Sequence, residues 1–351
     1  MPGKRENFVD QEKHQALKFF TFLLLALLLL LVSIRYLGSA SSALTGSLGF
    51  QAQRVQDEYI KGNDDPKESR SLLIIGDSTA SKNFYFRKLK GFKEVSFSVH
   101  GGSLVDGYFL LKRYLKNNPA PTCAIVMTSY GAYTYHLREM FWPFLVNKHF
   151  YSLNELLDIY QTGISTGGFP ANIGPVNFWA KVFLNWDWFN GFEWSALQAK
   201  IFHRELALQP TRAYREARNN HGAIHMNWEN ALMRSQPFST PAEEHFATTF
   251  TPHPALDSYI KRLLALLQQH DVRTHFMLGP IAESLKSPKS EAWLQDYFRH
   301  IGPILNRYPG VKNHLKMEWM ENGFFYDGVH LLNVAADAYT NKKKNLFENC
   351  R

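Results

Sequence analysis

A short apolar run that ends in glycine, aspartate and serine constrains the fold of this chain most strongly. Residues Leu72 to Ile75 are apolar and bounded by polar residues, which is typical of a buried strand in a parallel sheet. The chain then turns at Gly76, and Ser78 follows at the carboxyl end of the strand. Because ligands bind at the carboxyl ends of strands in open α/β sheets, we expect Ser78 to line a functional site.

A second polar motif, Asp327-Gly328-Val329-His330, stands near the end of the chain. A serine hydroxyl is a weak nucleophile that needs a base, and an imidazole oriented by a carboxylate supplies one. We therefore predict that Ser78 is a nucleophile, His330 its base and Asp327 the partner of the imidazole. The alternative is structural, with Ser78 at the start of a helix and Asp327 shaping a turn.

Strand and helix patterns alternate along most of the chain, which predicts an α/β fold with a parallel sheet and crossover helices. The predicted strands cover residues 72–75, 94–99, 123–127 and 272–278, with an edge strand over 315–319. The predicted helices cover residues 104–116, 153–160, 255–270, 291–306 and 333–347, with a helix or loop over 80–89.

The N-terminal region divides into three parts ahead of a globular domain over residues 70–351. Residues 19–34 are almost wholly apolar, which favours a transmembrane signal anchor over 19–36. The basic residues that precede it place residues 1–18 in the cytoplasm and the remaining chain outside. Residues 37–69 are predicted as a linker with a short helix near 53–60. A cleaved signal peptide is the alternative, because small residues follow the apolar run at 39–43.

The segment at about 140–250 departs from the strand and helix alternation and is predicted as a helical insertion over the carboxyl edge of the sheet. Six of the eight tryptophans fall within it: Trp142, Trp179, Trp186, Trp188, Trp194 and Trp228. These aromatic side chains form either a local core or a docking face for membrane, glycan or protein.

Charge and cysteine content narrow the range of partners. The net charge of +8 and a pI near 9.2 suit anionic lipid head groups or anionic envelope polymers, and no basic pattern indicates nucleic-acid binding. The only cysteines are Cys123, which we expect to be buried, and Cys350. A disulfide between them stays open. No cysteine or histidine spacing predicts a metal site, and no cofactor is expected.

These motifs resemble the SGNH/GDSL hydrolase superfamily. The resemblance rests on Gly76-Asp77-Ser78 after a strand, a glycine turn at Gly101-Gly102 after the second strand, and the Asp327 to His330 motif. It implies a flavodoxin-like α/β/α sandwich, a Ser78, His330 and Asp327 triad, and an oxyanion hole formed by backbone N–H groups of Gly102 and Ser78. The third block of the family, Gly-x-Asn-Asp, is replaced by Thr128-Ser129-Tyr130-Gly131, which leaves Ser129 as a substitute donor.

The missing block, together with an anchor and an extracytoplasmic domain, is similar to a membrane-anchored branch that includes the D-alanyl transfer protein of teichoic acid modification and polysaccharide O-acylation proteins. This implies a serine esterase or O-acyltransferase that transfers an acetyl or D-alanyl group to an envelope polysaccharide or teichoic acid. It also implies a multispanning membrane-bound O-acyltransferase as partner. The alternative is a weakly active or inactive accessory subunit that docks such an acyltransferase or a carrier protein.

Overall fold

The computed structural model of the chain describes residues 14–30, 33, 48–62, 72–84, 94–99, 101–133, 150–169, 174–184, 212–219, 221, 223, 246, 249–348 and 350. The chain divides into two compact units. One comprises Met1–Thr45 with Leu184–Leu208, and the other comprises Gly46–Phe183 with Gln209–Arg351.

The first unit contains helix α1, at residues 14–30, whose apolar side chains are exposed; the exposed fraction of Phe22 is 72%. Over the described part of the chain, no helix is both long enough and apolar enough to cross a membrane. The transmembrane helix predicted over 19–36 is therefore not found there. Positions 31, 32 and 34–36 of that prediction, like most of the cytoplasmic segment 1–18, lie outside the described residues.

The second unit is an α/β domain. Its helices are α2 (Leu48–Ile60), α3 (Ser78–Asn83), α4 (Leu104–Asn117), α5 (Leu153–Thr166), α6 (Gly174–Leu184), α7 (Arg212–Asn219), α8 (Pro254–Gln269), α9 (Pro288–Leu305), α10 (Asn333–Lys342) and α11 (Lys344–Glu348). Its strands are β1 (Leu72–Gly76), β2 (Glu94–Ser98), β3 (Cys123–Thr128), β4 (Arg273–Leu278), β5 (Ile281–Ala282), β6 (Val311–His314) and β7 (Trp319–Met320). Short 3-10 turns lie at Gly131–Tyr133, Glu283–Leu285 and Asn322–Phe324.

Five strands form one parallel sheet in the order β2-β1-β3-β4-β6, and β5 pairs with β7 in a separate two-stranded sheet. The α/β class and the parallel sheet predicted from the sequence are confirmed. The strand order has the 2-1-3-4-5 pattern, in which the direction of winding reverses between the first and third strands. The carboxyl ends of β1 and β3 therefore lie next to the crevice where such sheets bind ligands.

Helices cover both faces of the large sheet, which is compatible with a three-layer sandwich. Successive residues of a strand point to opposite faces. Ile74 belongs to a core with residues of α3, α10 and α11, whereas Ile75 faces Gly107 of α4. Strands β1 and β3 are buried along their whole length, because both faces are covered.

The structure corrects the linker prediction over residues 48–60. Helix α2 packs against α4, α7 and the edge strand β2, and Val55 is almost fully buried. The sequence predicted a short helix near 53–60, but as part of a linker, and missed the buried side chains by which it packs on the domain. Residues 37–47 and 63–69 lie outside the described residues.

Two further predictions differ in detail from the structure. The edge strand predicted at 315–319 lies earlier in the chain, as β6 at Val311–His314, and of the predicted residues only Trp319 is in a strand, β7, which pairs with β5. The last predicted helix is divided into α10 and α11. Of the insertion, only parts are described, and there Phe178 is buried among Tyr160, Phe169 and Trp179 as a local aromatic core.

Candidate active site

The structure brings Ser78, His330 and Asp327 together in one hydrogen-bonded line. Ser78 Oγ lies 2.7 Å from His330 Nε2, and His330 Nδ1 lies 2.7 and 2.8 Å from the two carboxylate oxygens of Asp327. A carboxylate accepts hydrogen bonds, so Nδ1 carries the proton and Nε2 is left to accept one from the Ser78 hydroxyl. This is the arrangement in which an imidazole can remove a proton from a serine.

Ser78 owes its position to a sharp turn between β1 and α3. Gly76 ends β1 where a Cβ would lie 1.9 Å from the backbone oxygen of Met127 on β3, so only glycine fits without moving the neighbouring strand. Asp77 then caps α3 by accepting a hydrogen bond from Thr79 N–H at 2.8 Å. Ser78 is consequently the first residue of the helix, and its side chain is only partly buried at the edge of the sheet.

Asp327 and His330 lie on a loop that the carboxylate itself shapes. Asp327 Oδ1 accepts hydrogen bonds from the backbone N–H groups of Val329 and His330 as well as from the imidazole. Burial acts to raise the pKa of Asp327, but these hydrogen bonds and the charge of His330 outweigh it and hold that pKa below its ordinary value. Asp327 is therefore ionised at neutral pH and able to stabilise a protonated imidazole.

The expected oxyanion donors differ in whether they already donate a hydrogen bond within the fold. Ser78 N–H lies in the first turn of α3, where no intrahelical acceptor exists, and it has no partner among the described residues. Gly102 N–H, in contrast, donates to the backbone oxygen of Val99 at 2.9 Å. In this structure the Gly102 N–H therefore bonds within the turn that follows β2 and does not point to an oxyanion.

Ser129 is also engaged, through a residue whose role the sequence prediction missed. Its N–H and its hydroxyl, which the sequence suggested as an oxyanion donor, both donate to Asp77 Oδ2, at 2.9 and 2.7 Å. Asp77 is buried and links the carboxyl ends of β1 and β3 across the switch point. Because Asp77 and Ser129 follow neighbouring parallel strands, the shared edge of the sheet was the signal that could have revealed the contact.

The cysteines, which the sequence left undecided, form a disulfide. Cys123 of β3 and Cys350 are bonded, with their Cα atoms 5.3 Å apart, and both are buried. Within the described residues, their sulfurs and a nitrogen of His275 form a group whose ligand-type atoms lie within 4.8 Å of one another. Since the disulfide occupies both sulfurs, this group offers no thiolate to a metal ion.

Comparison with known proteins adds no assignment: no protein-family model matches the chain, and no curated protein matches it. The resemblance to SGNH hydrolases accordingly depends on the motifs and on the geometry described above.

Proposed function

We propose that this chain is a serine esterase or O-acyltransferase with an SGNH-like, flavodoxin-like α/β/α domain, in which Ser78, His330 and Asp327 act as the catalytic triad. The observation that carries the proposal is the unbroken hydrogen-bonded line from Ser78 Oγ through the imidazole to Asp327. Two motifs far apart in the sequence meet at the switch point of a parallel sheet, where ligand sites are expected.

The proposed reaction has two steps. Ser78 Oγ attacks the carbonyl carbon of an ester, its proton passes to His330 Nε2, and the charge of Asp327 stabilises the imidazolium. When the carbon–oxygen bond to the leaving alcohol breaks, His330 returns the proton to that alcohol and an acyl group remains on Ser78. A hydroxyl of the acceptor, or water, then attacks the acyl-enzyme with His330 again as base, and Ser78 is released with its proton.

Ser78 N–H is the donor best placed to stabilise the negative oxygen of each tetrahedral intermediate. Each oxyanion donor contributes about 10²–10³-fold to the rate in serine hydrolases. Because Gly102 N–H and the Ser129 donors have other partners, we expect a slow enzyme unless substrate binding opens the Val99 to Gly102 turn.

We further propose that the domain acts outside the cell membrane, on an acetyl or D-alanyl group of an envelope polysaccharide or teichoic acid, beside a membrane-bound O-acyltransferase. The apolar N-terminal segment and the basic residues before it favour a membrane anchor. The Cys123–Cys350 disulfide supports the extracytoplasmic location, since disulfides persist in oxidising compartments.

The second candidate function is an accessory subunit that binds an acyltransferase or carrier and retains the triad without using it. The specific observation in its favour is that two of the three expected oxyanion donor residues are engaged within the fold. The aromatic-rich insertion would be its docking face.

Labelling with a fluorophosphonate separates these two functions. The full-length chain is treated with the probe, and the labelled residue is identified by peptide mass spectrometry. We expect covalent labelling of Ser78 and a loss of at least about 10³-fold in labelling rate for Ser78→Ala and for His330→Ala, because neither variant retains an activated nucleophile.

Ser165→Ala is the matched control, since Ser165 is an exposed serine on α5 whose hydroxyl bonds only its own helix. This variant should label like the unmodified chain. Absence of labelling in the unmodified chain would overturn the enzymatic proposal in favour of the accessory subunit, and labelling of another serine would overturn the assignment of Ser78.

A further inference from the structure

A buried asparagine ties the loop that carries His330 to the helix that carries Ser78. Asn83 is the last residue of α3, and it has no exposed surface. Its Nδ2 donates to the backbone oxygen of Val329 at 3.1 Å, and its Oδ1 accepts from Leu331 N–H at 3.0 Å. One side chain therefore holds the residues immediately before and after His330.

The two hydrogen bonds together fix both the position of the loop backbone and the orientation of the Asn83 amide. Because Nδ2 faces a carbonyl and Oδ1 faces an N–H group, the orientation of the amide is determined by its partners. The side chain thus pairs with the loop backbone much as a neighbouring strand would. Both bonded groups flank His330, so the pairing restricts movement of the His330 backbone relative to α3.

The loop holds its own shape through contacts that do not involve α3. Tyr326 N–H donates to the backbone oxygen of His330, and Ala282 N–H donates to that of Gly328, both at 2.9 Å. Asp327 Oδ1 accepts two further hydrogen bonds within the loop, from the N–H groups of Val329 and His330. Asn83 and Ser78 both connect α3 to this loop, Asn83 through the backbone of Val329 and Leu331 and Ser78 through the imidazole of His330.

We infer that Asn83 is a positioning residue, which sets the distance between Ser78 Oγ and His330 Nε2 by fixing the His330 backbone to α3. The inference rests on the proposed function, because it concerns the same pair of reacting groups. Proton transfer from serine to imidazole requires hydrogen-bond contact, and a displacement of about 1 Å can lower a rate by about 10²-fold. Asn83 acts through His330 and does not itself contact Ser78 Oγ.

The test is the rate of fluorophosphonate labelling of Ser78 in the full-length chain. We expect Asn83→Ala to label about 10²-fold more slowly, because it removes both hydrogen bonds. Asn83→Asp keeps the side-chain volume and the acceptor for Leu331 N–H, but as a carboxylate it cannot donate to Val329, so its rate should be intermediate. If Asn83→Ala does not fold, the labelling rate of Asn83→Asp tests the inference in its place.

Asn118→Ala is the matched control, since the Asn118 side chain at the end of α4 also makes two hydrogen bonds to the backbone, both donated by Nδ2, to the oxygens of Ile60 and Tyr114. It should label at the unmodified rate. A double-mutant cycle separates positioning from general destabilisation. In a His330→Ala background, Asn83→Ala or Asn83→Asp should not lower the labelling rate further, because no imidazole remains to be positioned.

Each outcome is decisive. An unmodified rate in Asn83→Ala, or an equal further loss in the His330→Ala background, would overturn the role of Asn83 while the triad stands. No labelling of Ser78 in the unmodified chain would overturn both the triad and this inference.

Discussion

Asp106 is a buried carboxyl group next to Gly102 of the candidate site. It lies fully buried in the first turn of α4, where it accepts hydrogen bonds from the N–H and the hydroxyl of Ser103 and from the hydroxyl of Tyr151. Burial raises the pKa of Asp106 to about 6, against the partial compensation of these hydrogen bonds. The folded chain therefore binds this proton more tightly than the unfolded chain does.

We expect the stability of the domain to fall as Asp106 ionises. The ordinary pKa is 3.8, so the stabilisation is fully present below about pH 3.8 and is lost as the pH rises to about 6. The loss should be on the order of 1–3 kcal/mol. Urea unfolding at about pH 4.5 and pH 7 measures it, with Asp106→Asn as the control because an amide does not titrate. An equal pH dependence in both proteins would contradict the assignment to Asp106.

At the scale of elements, helix α2 closes the edge of the sheet that β2 would otherwise leave open. Gln56 Nε2 donates to the backbone oxygens of Ser96 and Ser98, at 3.2 and 2.9 Å, and the backbone oxygen of His221 accepts from Ser96 N–H. An edge strand with unpaired backbone groups invites pairing with another chain. Gln56 of α2 and the backbone of His221 thus supply partners for backbone groups of Ser96 and Ser98 that a sixth strand would otherwise have paired.

Replacing Gln56 by alanine should destabilise the domain by about 1–3 kcal/mol, because the buried oxygens of Ser96 and Ser98 lose their donor. Gln53→Ala is the control on the same helix, since Gln53 is only partly buried and has no hydrogen-bond partner among the described residues; we expect a change within about 0.5 kcal/mol. Chemical denaturation gives both values. Equal stability of the two variants would show that the hydrogen bonds of Gln56 do not contribute to the stability of the domain.

Much of the element pattern could be predicted from sequence because it is local. The strands at Leu72 and Cys123 are recognisable from continuous apolar runs, and α8 from its periodic leucines. Helix α2 was predicted only as a short helix near 53–60 within a linker, because its apolar stripe is narrow and the polar contact of Gln56 is to a distant strand. A hydrogen bond between segments this far apart leaves no periodic signal in either of them.

At the scale of the whole molecule, the triad was predictable and its surroundings were not. Ser78, Asp327 and His330 are in motifs whose chemistry is specific enough to pair them across the chain. The engagement of Gly102 with Val99 and of Ser129 with Asp77 depends on the direction of single backbone groups after folding. The binding of Asn83 to the His330 loop depends likewise on tertiary contact, so no spacing in the sequence indicates it.

The Cys123–Cys350 disulfide connects the central strand β3 to the end of the segment that follows His330. The bonded residues are 227 positions apart, so the bond restricts the unfolded chain over most of the domain. Loop-closure entropy for a chain of this length gives an upper bound of about 5 kcal/mol, and measured values are commonly 2–4 kcal/mol. Cys350 also closes the core that includes Tyr339 and Phe347, beside α3.

We therefore expect reduction of the full-length chain to lower the free energy of unfolding by about 2–4 kcal/mol, because the unfolded state regains the entropy that the bond removes. Urea unfolding with and without dithiothreitol measures the change. The variant Cys350→Ser should unfold like the reduced chain and should not respond to dithiothreitol, which separates loss of the bond from any other effect of the reagent. Identical unfolding of the oxidised and reduced chains would contradict this prediction. It would mean that the disulfide does not stabilise the domain and that other contacts hold α10 and α11 in place.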